Sequence, residues 1–406
     1  MCKYFIPASG ISYGGRAYNL FLELSKMNSV FIDVVASDSL GHLGSVDVHG
    51  KASKIKVSSS YNIFFLKTYS YKKAKSIARI FSWIDYEMKV FKYYRSQIPD
   101  YDIIYASSPS FLTLITGFIL SKLYRKKFVI EVRDIWPLTL IEEGNFSKFN
   151  PLIIFMGMVE TFLYMNSDLI VGTMPGIKEY IQNKKIIKFF NLCLNVETLP
   201  FGVNEDIRNA TERRSLTNLE YHCKGSKLKI MYSGSIGISN ALDNFFDLVR
   251  NFRDDESIQF FILGDGPLLK KYIAKTSEYK NIIFLGKVPA VEVNSIIVQS
   301  DILYLACKPL SLWEYGQSLN KLVDYMYSGK VILFEFTGLL SMINDAKCGF
   351  VISHNDPEYI KDTVNYIRKL NVGERDLIGN RGRQWILKNR SYQNLANELH
   401  KILNKL

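Results

Sequence analysis

The chain has 406 residues, 48% of them hydrophobic and 22% charged, with a formal net charge of +12. That composition excludes a disordered or fibrous polymer and leaves enough chain for two ordinary domains, while the positive excess calls for an anionic partner such as nucleic acid, anionic lipid or a phosphorylated substrate. Five cysteines (Cys2, Cys193, Cys223, Cys307, Cys348) stand without CxxC or histidine spacing, so no zinc site or disulfide framework is expected and a reducing cytoplasm is the simplest compartment.

The opening MCKYFIPASGISYGG has too short an apolar run for a signal peptide. Predicted strands of the first half are KYFIPA, VFIDVVA, NIFFLK, DIIYASS, KFVIEVRD and DLIVGT. Between them lie helical patterns such as GGRAYNLFLELSKM, where Leu20, Leu24 and Met27 recur at helical spacing. From Lys54 to Arg95 ten cations face only Asp85 and Glu87 and are interleaved with aromatics. Such a stretch suits peripheral contact with an anionic membrane through residues 54–95, or is a solvated helix face. No helix-turn-helix, zinc finger or RNP-like motif supports a nucleic-acid partner. The apolar windows 111–124 and 151–165 fall short of a membrane span.

At 199–215, LPFGVNEDIRNATERRS combines a turn with a polar stretch lacking apolar period, which marks a boundary. Beyond it the predicted strands are LKIMYSG, IQFFILG, NIIFLG, DILYLAC, VILFEF and GFVIS, alternating with helical segments such as ALDNFFDLV and KLVDYMYS. Strand and helix alternating at this spacing imply parallel sheets with right-handed crossovers. The expectation is α/β: a doubly wound domain at 1–205, a second at 206–388, and a helix at 389–406 returning to the first through Leu395, Leu399, Ile402 and Leu403.

Ligands of open parallel sheets bind beyond the carboxyl ends of the strands. There the sequence places Gly14 and Gly15 ahead of a helix, Arg133 and Asp134 in RDIWP, Gly234 and Gly237 in SGSIG, and Gly264 and Gly266 in GDGP. After DILYLAC a helix begins near Ser318 to Asn320, with its positive end toward the same edge. On it Lys321 and Asp324 share one face at i,i+3 spacing, either as a local ion pair or as a site with the lysine for phosphate and the carboxylate for a sugar diol. Each glycine pair taken alone is a tight turn and the Arg133 and Asp134 pair a structural ion pair; their convergence at strand ends favours a site. No GxGxxG follows the first strand, and neither GxxxxGK[ST] nor GxSxG occurs, which disfavours a dinucleotide oxidoreductase, a P-loop ATPase and a nucleophile-elbow hydrolase. His42, His49, His222, His354 and His400 all lie outside these loops, and the DxD of Asp100 and Asp102 precedes its strand and is assigned no function.

In chain order, SYGGRAYNLFLEL, DIIYASSPSF, FVIEVRDIWP, NSDLIVGTMPGIKEYI, LPFGVNED, IMYSGSIGISNALDNF, FILGDGPL, IIFLGKVPAVEV, SDILYLAC and SLNKLVDYMYSGKVIL resemble the motifs of glycosyltransferase family 4. RDIWP and NKLVDYM look most like the branch that builds bacterial O-antigen, capsule or exopolysaccharide. The resemblance implies the GT-B fold of two facing Rossmann-like domains and retaining, metal-independent transfer from a nucleotide-sugar, a UDP-sugar favoured. No cofactor is expected, and the acceptor implied is a glycan or lipid-linked oligosaccharide, handled in the cytoplasm or on the inner membrane face. By position Asp324 resembles the residue that bonds the ribose, Lys321 the lysine near the donor phosphates, and Val288 the backbone contact to the base. Gly14 and Gly15 look like the loop facing the diphosphate, and Gly264 and Gly266 like the loop near the donor. Gly234, Gly237, Ser318 and Asn320 complete the expected donor side, and Arg133 and Asp134 the acceptor side and reaction centre. The chain departs from the pattern at Gly316, eight residues before Asp324, where relatives often carry an acid; Glu314 is out of register. It also lacks Arg and Lys after SGSIG and has Arg133 where many relatives have His. A catalytically degenerate GT-B scaffold and a sugar-nucleotide epimerase are the alternatives.

Overall fold

The structure, a computed structural model, describes residues 1–39, 45–48, 50–71, 76–96, 101–108, 110–212, 215, 217–222, 227–237, 240–339, 341–352 and 357–406. Lys72, Lys73 and Lys75 of the basic stretch, Asp100, His42, His49, His354 and Cys223 lie outside the described residues. The chain divides into two compact units: residues 1–7, 14–200 and 392–406 in unit 1, and residues 8–13 and 201–391 in unit 2.

In chain order come β1 (Ala8–Ser9), β2 (Ser12–Tyr13), α1 (Arg16–Leu24), β3 (Ile32–Ser37), β4 (Ala52–Lys56), β5 (Tyr61–Leu66), α2 (Ile77–Ser96), β6 (Ile103–Ser107), α3 (Phe111–Tyr124) and β7 (Lys127–Val132). They are followed by α4 (Leu138–Glu142), α5 (Pro151–Met165), β8 (Leu169–Gly172), α6 (Ile177–Gln182), α7 (Lys185–Phe189), β9 (Val196–Thr198), α8 (Glu205–Thr211), β10 (Leu228–Ser233), α9 (Leu242–Asn251) and β11 (Ile258–Leu263). Last are α10 (Leu269–Lys275), β12 (Ile282–Gly286), α11 (Ala290–Ile297), β13 (Ile302–Ala306), α12 (Asn320–Ser328), β14 (Val331–Glu335), α13 (Met342–Ala346), β15 (Gly349–Ile352), α14 (Pro357–Lys369), α15 (Val372–Arg390) and α16 (Tyr392–Leu403).

Unit 1 holds a three-stranded sheet, β3-β5-β4, and a parallel four-stranded sheet, β6-β7-β8-β9. Of the predicted strand KYFIPA only Ala8 lies in a strand, the short β1; instead residues 1–3 fill the slot between the two sheets. Cys2 N–H donates to Val35 O (3.0 Å), Ser37 N–H to Lys3 O (3.3 Å), and Ser107 N–H to Met1 O (3.1 Å). These few bonds serve both neighbouring edges without a continuous ladder. The expectation of purely parallel sheets also needs correction, because β4 runs antiparallel to β5. Its sequence, ASKIK, lacks an inward apolar face because it is an exposed edge, and Lys54 and Lys56 guard that edge against further pairing. The core packs Leu20 and Leu24 of α1 and Leu395 and Leu399 of α16 with Val34, Ile63, Val129 and Val171 of the strands. The C-terminal helix therefore belongs to unit 1, starting at Tyr392.

Unit 2 is a six-stranded sheet, β12-β11-β10-β13-β14-β15, with every pairing parallel. Its first strand in sequence, β10, sits centrally between β11 and β13, so the winding reverses there and opens a crevice at the carboxyl ends of β10 and β13. The strands read as near-continuous apolar runs because both faces are covered; every residue of β11 is buried. Sequence puts residues 8–13 in the first domain, but this short hairpin belongs to unit 2, where the Tyr13 hydroxyl donates to Val291 O at 3.0 Å.

A charged cluster lies inside unit 1. Arg16, first residue of α1, pairs with Glu131 on β7 at 2.5 Å, both side chains 1% exposed, and donates to Leu199 O. Ser107 and Tyr105 also donate to Glu131. Burial alone would raise the Glu131 carboxyl, but Arg16, Arg133 and these hydroxyls outweigh it and hold it below the usual range. Glu131→Ala should therefore cost about 3–5 kcal/mol in chemical denaturation by leaving Arg16 buried without its counter-charge. Lys127→Ala, which removes only the half-exposed partner of Asp168, should cost under about 1 kcal/mol.

Candidate active site

The crevice of unit 2 is assembled from backbone outward. β10 ends at Ser233, and the chain turns through Gly234 at φ +144°. β11 ends at Leu263 and turns through Gly264 at φ +146°. Both values favour glycine. The two turns touch: a Cβ on Gly264 would lie 1.9 Å from Gly234 O, and one on Gly266 would lie 2.4 Å from Ile236 O. Backbone bonds lock the loops together, Gly234 N–H to Leu263 O (2.9 Å) and Ile236 N–H to Asp265 O (2.9 Å). Gly237 is different, for a Cβ there would meet only side-chain atoms at 3.6 and 3.8 Å.

Helix α12 docks on this pair of turns. The buried Tyr325 hydroxyl accepts from Ser233 N–H at 2.7 Å and donates to Ser233 O at 3.1 Å, pinning the helix to the last residue of β10. One turn earlier the Lys321 stem passes over Gly234, where a Cβ would come within 2.8 Å of Lys321 Cδ. The lysine ammonium donates to Tyr232 OH (3.0 Å) and Asn240 Oδ1 (2.5 Å) and sits 4.9 Å from the Tyr232 ring centre. Burial pushes it down to about 8, with Cys307 opposing the shift slightly. A cation held by neutral groups alone is one that an anion would stabilise.

The amino end of α12 adds donors. Leu319 at its N-cap offers no side-chain hydrogen bond and the first turn carries no acid, so the leading N–H groups lack a side-chain cap. Just before it, the Oε1 and Nε2 atoms of Gln317 and the Oγ of Ser318 are buried without a hydrogen-bond partner. Buried polar atoms cost about 1–3 kcal/mol each when unpaired, so three together at a helix start mark a place that a polar ligand would complete. Asn320 is exposed beside them, and Val288 lies half-buried on the loop from β12 to α11.

Asp324 does not face Lys321 as an ion-pair partner; it pairs with Arg208 of α8. The guanidinium of Arg208 is sandwiched between the rings of Tyr13 (4.7 Å) and Tyr327 (4.6 Å). The shared helix face expected from spacing is thus divided, Lys321 toward the β10 turn and Asp324 toward α8. The Asp324 side chain remains 38% exposed and keeps access for hydroxyl donors. Arg208, Tyr13, Asn240 and Gln317 are the residues that sequence reasoning missed. An N-cap signature was legible for α8, whose Asn204 side chain accepts from Ile207 N–H ahead of Glu205 and Asp206.

Unit 1 carries the remaining predicted residues. Gly14 adopts φ +79°, and Gly15 caps α1 with its N–H on Ile6 O at 2.8 Å. Arg133 and Asp134 follow β7, where the Ser108 hydroxyl accepts from Arg133 N–H at 2.8 Å and Asp134 N–H at 3.4 Å. Solvent reaches Asp134 although surrounding protein raises its carboxyl, with Arg133 and then Arg79 pulling the other way. Gly234, Gly264, Gly266, Ser318, Asn320 and Lys321 gather at one crevice in unit 2, with Asp324 one helix turn along, whereas Gly14, Gly15, Arg133 and Asp134 are held on unit 1.

Residues 227–369 match the family model described as glycosyl transferases group 1. No protein of curated function matches the sequence. Among solved structures, sucrose-phosphate synthase from Thermosynechococcus elongatus superposes with a TM-score of 0.69 at 11% identity, covering 98% of this chain and 97% of that one. HepE from Anabaena, in complex with UDP and glucose, gives 0.64 at 12% identity over 98% of each chain. WaaG, a glycosyltransferase involved in lipopolysaccharide biosynthesis, gives 0.63 at 12% identity over 99% of this chain and 98% of that one. At these identities the likeness establishes the fold, which is GT-B.

The glycine geometry yields a contrast within one site. Gly264→Ala must move a backbone oxygen that cannot yield, so it should cost about 3 kcal/mol or more in denaturant titration. Gly237→Ala should fall within about 0.5 kcal/mol of the parent.

Proposed function

We propose that the chain is a retaining, metal-independent glycosyltransferase that moves a sugar from a nucleotide-sugar, with uridine diphosphate favoured, to a glycan carried on a lipid during bacterial surface-polysaccharide assembly. The observation that carries this reading is the start of α12, where a buried ammonium, uncapped N–H groups and three partnerless polar atoms converge beside two glycine turns. That set fits a diphosphate. The group 1 match spans 227–369, the stretch that holds these residues, and the UDP and glucose named with the HepE structure motivate the choice of base.

In this reading the diphosphate lies at the α12 start and the ribose hydroxyls donate to Asp324, which Arg208 holds in place. The acceptor oxygen bonds to the anomeric carbon as the bond to the phosphate oxygen breaks, and the departing phosphate takes the acceptor proton. The protein's task is then to stabilise charge on the leaving group, which Lys321 and the helix dipole do in a site they already occupy. Arg133 and Asp134 are assigned to the acceptor and reaction centre. Residues 54–95 are assigned to peripheral membrane contact near the acceptor. There an open groove of about 700 Å³ is lined by Lys67, Tyr69, Phe81, Ile84, Met88 and Lys89, a mixture suited to an amphiphile.

A thermal-shift titration with UDP, GDP and dTDP tests the donor half. Stabilisation by UDP above the others, lost in Lys321→Ala and Asp324→Ala, is expected; no shift with any nucleotide in a folded protein would turn the reading to a degenerate scaffold. Turnover of Lys321→Ala should fall about 100-fold or more, the loss of one preorganised donor. Because Lys321 is pushed down to about 8, its ammonium is present below that pH and is lost above it. UDP affinity of the parent protein should therefore weaken as pH rises from about 7 to 9, while the weak residual binding of Lys321→Ala should change much less over the same range.

A further inference from the structure

Helix α5 is apolar on both sides, and only one side is covered. Ile153, Leu163 and Tyr164 are buried against unit 1. On the opposite side Leu152, Phe155, Met158, Phe162 and Met165 form a stripe at helical spacing, and all five are exposed, Phe155 at 57%. A helix hydrophobic all round is normally a core helix or a membrane element, and fifteen residues of it are too short to span a bilayer.

The stripe is the middle of a wider face. α3 packs on α5, with the Phe118 and Phe162 rings 5.2 Å apart, and exposes Ile119 and Leu123. α7 also packs on α5 and exposes Ile186, Phe189 and the following Phe190, Phe189 at 81%. The arrangement is fixed from beneath: Glu160 of α5, 2% exposed, accepts from Lys184 at 2.5 Å and from the Tyr180 hydroxyl at 3.1 Å, clamping α7 and α6 to α5. A buried ion pair with its own hydroxyl donor makes this a rigid platform whose aromatic rings have nowhere to fold inward. Apolar faces of this breadth on soluble units mark interaction sites.

Charge chooses the occupant. The rim carries Lys122, Lys148, Lys185 and Lys188, all exposed, whereas α3 and α7 contain no acid and the single acid of α5 is Glu160, buried and already paired. Two copies meeting face to face would bring lysine against lysine. An anionic lipid surface meets both requirements at once, accepting rings and methyl groups among its acyl chains and the ammonium groups at its headgroups.

We propose that the α3-α5-α7 face of unit 1 is a monotopic membrane-docking surface that inserts Phe155, Phe189 and their neighbours into an anionic monolayer. It uses residues other than those of the basic stretch 54–95, whose helix α2 packs on α3, and it stands whether or not the chain transfers a sugar. Docking by insertion is held chiefly by apolar burial, so it survives salt that screens a purely electrostatic contact.

Vesicle flotation with phosphatidylglycerol and phosphatidylethanolamine tests this, using the full chain, the double variant Phe155→Ser and Phe189→Ser, and Lys89→Glu with Lys92→Glu on α2. The parent protein should float at low salt and keep most of its binding at high salt. The phenylalanine variant should lose about 10-fold or more in vesicle affinity, and the α2 variant should change little at high salt. Both altered phenylalanines are exposed, so the variant should melt and respond to UDP as the parent does, which separates failure of docking from failure of the donor site. Parent protein that does not float, or a phenylalanine variant that floats as well as the parent, overturns the proposal. A parent dimer in light scattering that the phenylalanine variant dissolves also overturns it, in favour of a second copy on this face.

Discussion

Much of unit 2 depends on one tyrosine and the strand end it holds. Tyr325 both accepts from and donates to the backbone of Ser233, so α12 cannot shift along the sheet without breaking two buried hydrogen bonds. Such bonds are worth about 1 kcal/mol each when made and more when left unsatisfied, so the second role dominates. Fixing Tyr325 fixes Lys321 one turn earlier, and the space that the lysine stem uses exists because residue 234 has no Cβ. The same economy operates one layer down, where Gly264 lets its turn rest on the carbonyl of Gly234. A charged side chain, two turns and a helix start are thereby set by contacts made before any ligand arrives, which is what electrostatic preorganisation requires.

Two cations in unit 2 illustrate how environment divides labour between similar groups. Arg208 has its charge answered by Asp324 and its flat faces covered by Tyr13 and Tyr327, so its charge is already spent on structure. Lys321 has only neutral partners, and burial depresses it. Of the two, the lysine is the one that gains by meeting an anion, and the arginine is better read as the residue that positions Asp324. Its sandwich also ties the hairpin of residues 8–13 to unit 2 immediately before the chain turns at Gly14, whose φ is positive.

The sequence made most of the sheet legible for a simple reason: strands covered on both faces, such as IQFFILG and VILFEF, read as nearly continuous apolar runs between turns. Where burial is partial the signal fades. ASKIK pairs along one edge with its side chains largely in solvent, so nothing in its pattern announces a strand. Residues 1–3 are bonded on both sides, yet by too few bonds to make a ladder. In the site, Lys321 and the glycines were legible because position after a strand is a local property. The partner of Asp324 was not, since Arg208 lies 116 residues away in a segment whose polarity reads as a linker. Periodicity reports which face is buried and is silent about which charge a distant loop will bring.

The same limit explains α5. Its sequence, PLIIFMGMVETFLYM, reads as an apolar window too short to span a membrane. What the sequence does not carry is coverage: inward residues Ile153 and Tyr164 and outward residues Phe155 and Phe162 are chemically alike and differ only in whether another element lies over them. Glu160 breaks the apolar run, and in isolation it argues against burial. In the fold the helix's one charge is buried because Lys184 and Tyr180 come to meet it, so the acid that makes the segment look soluble is the one that fixes its apolar face outward.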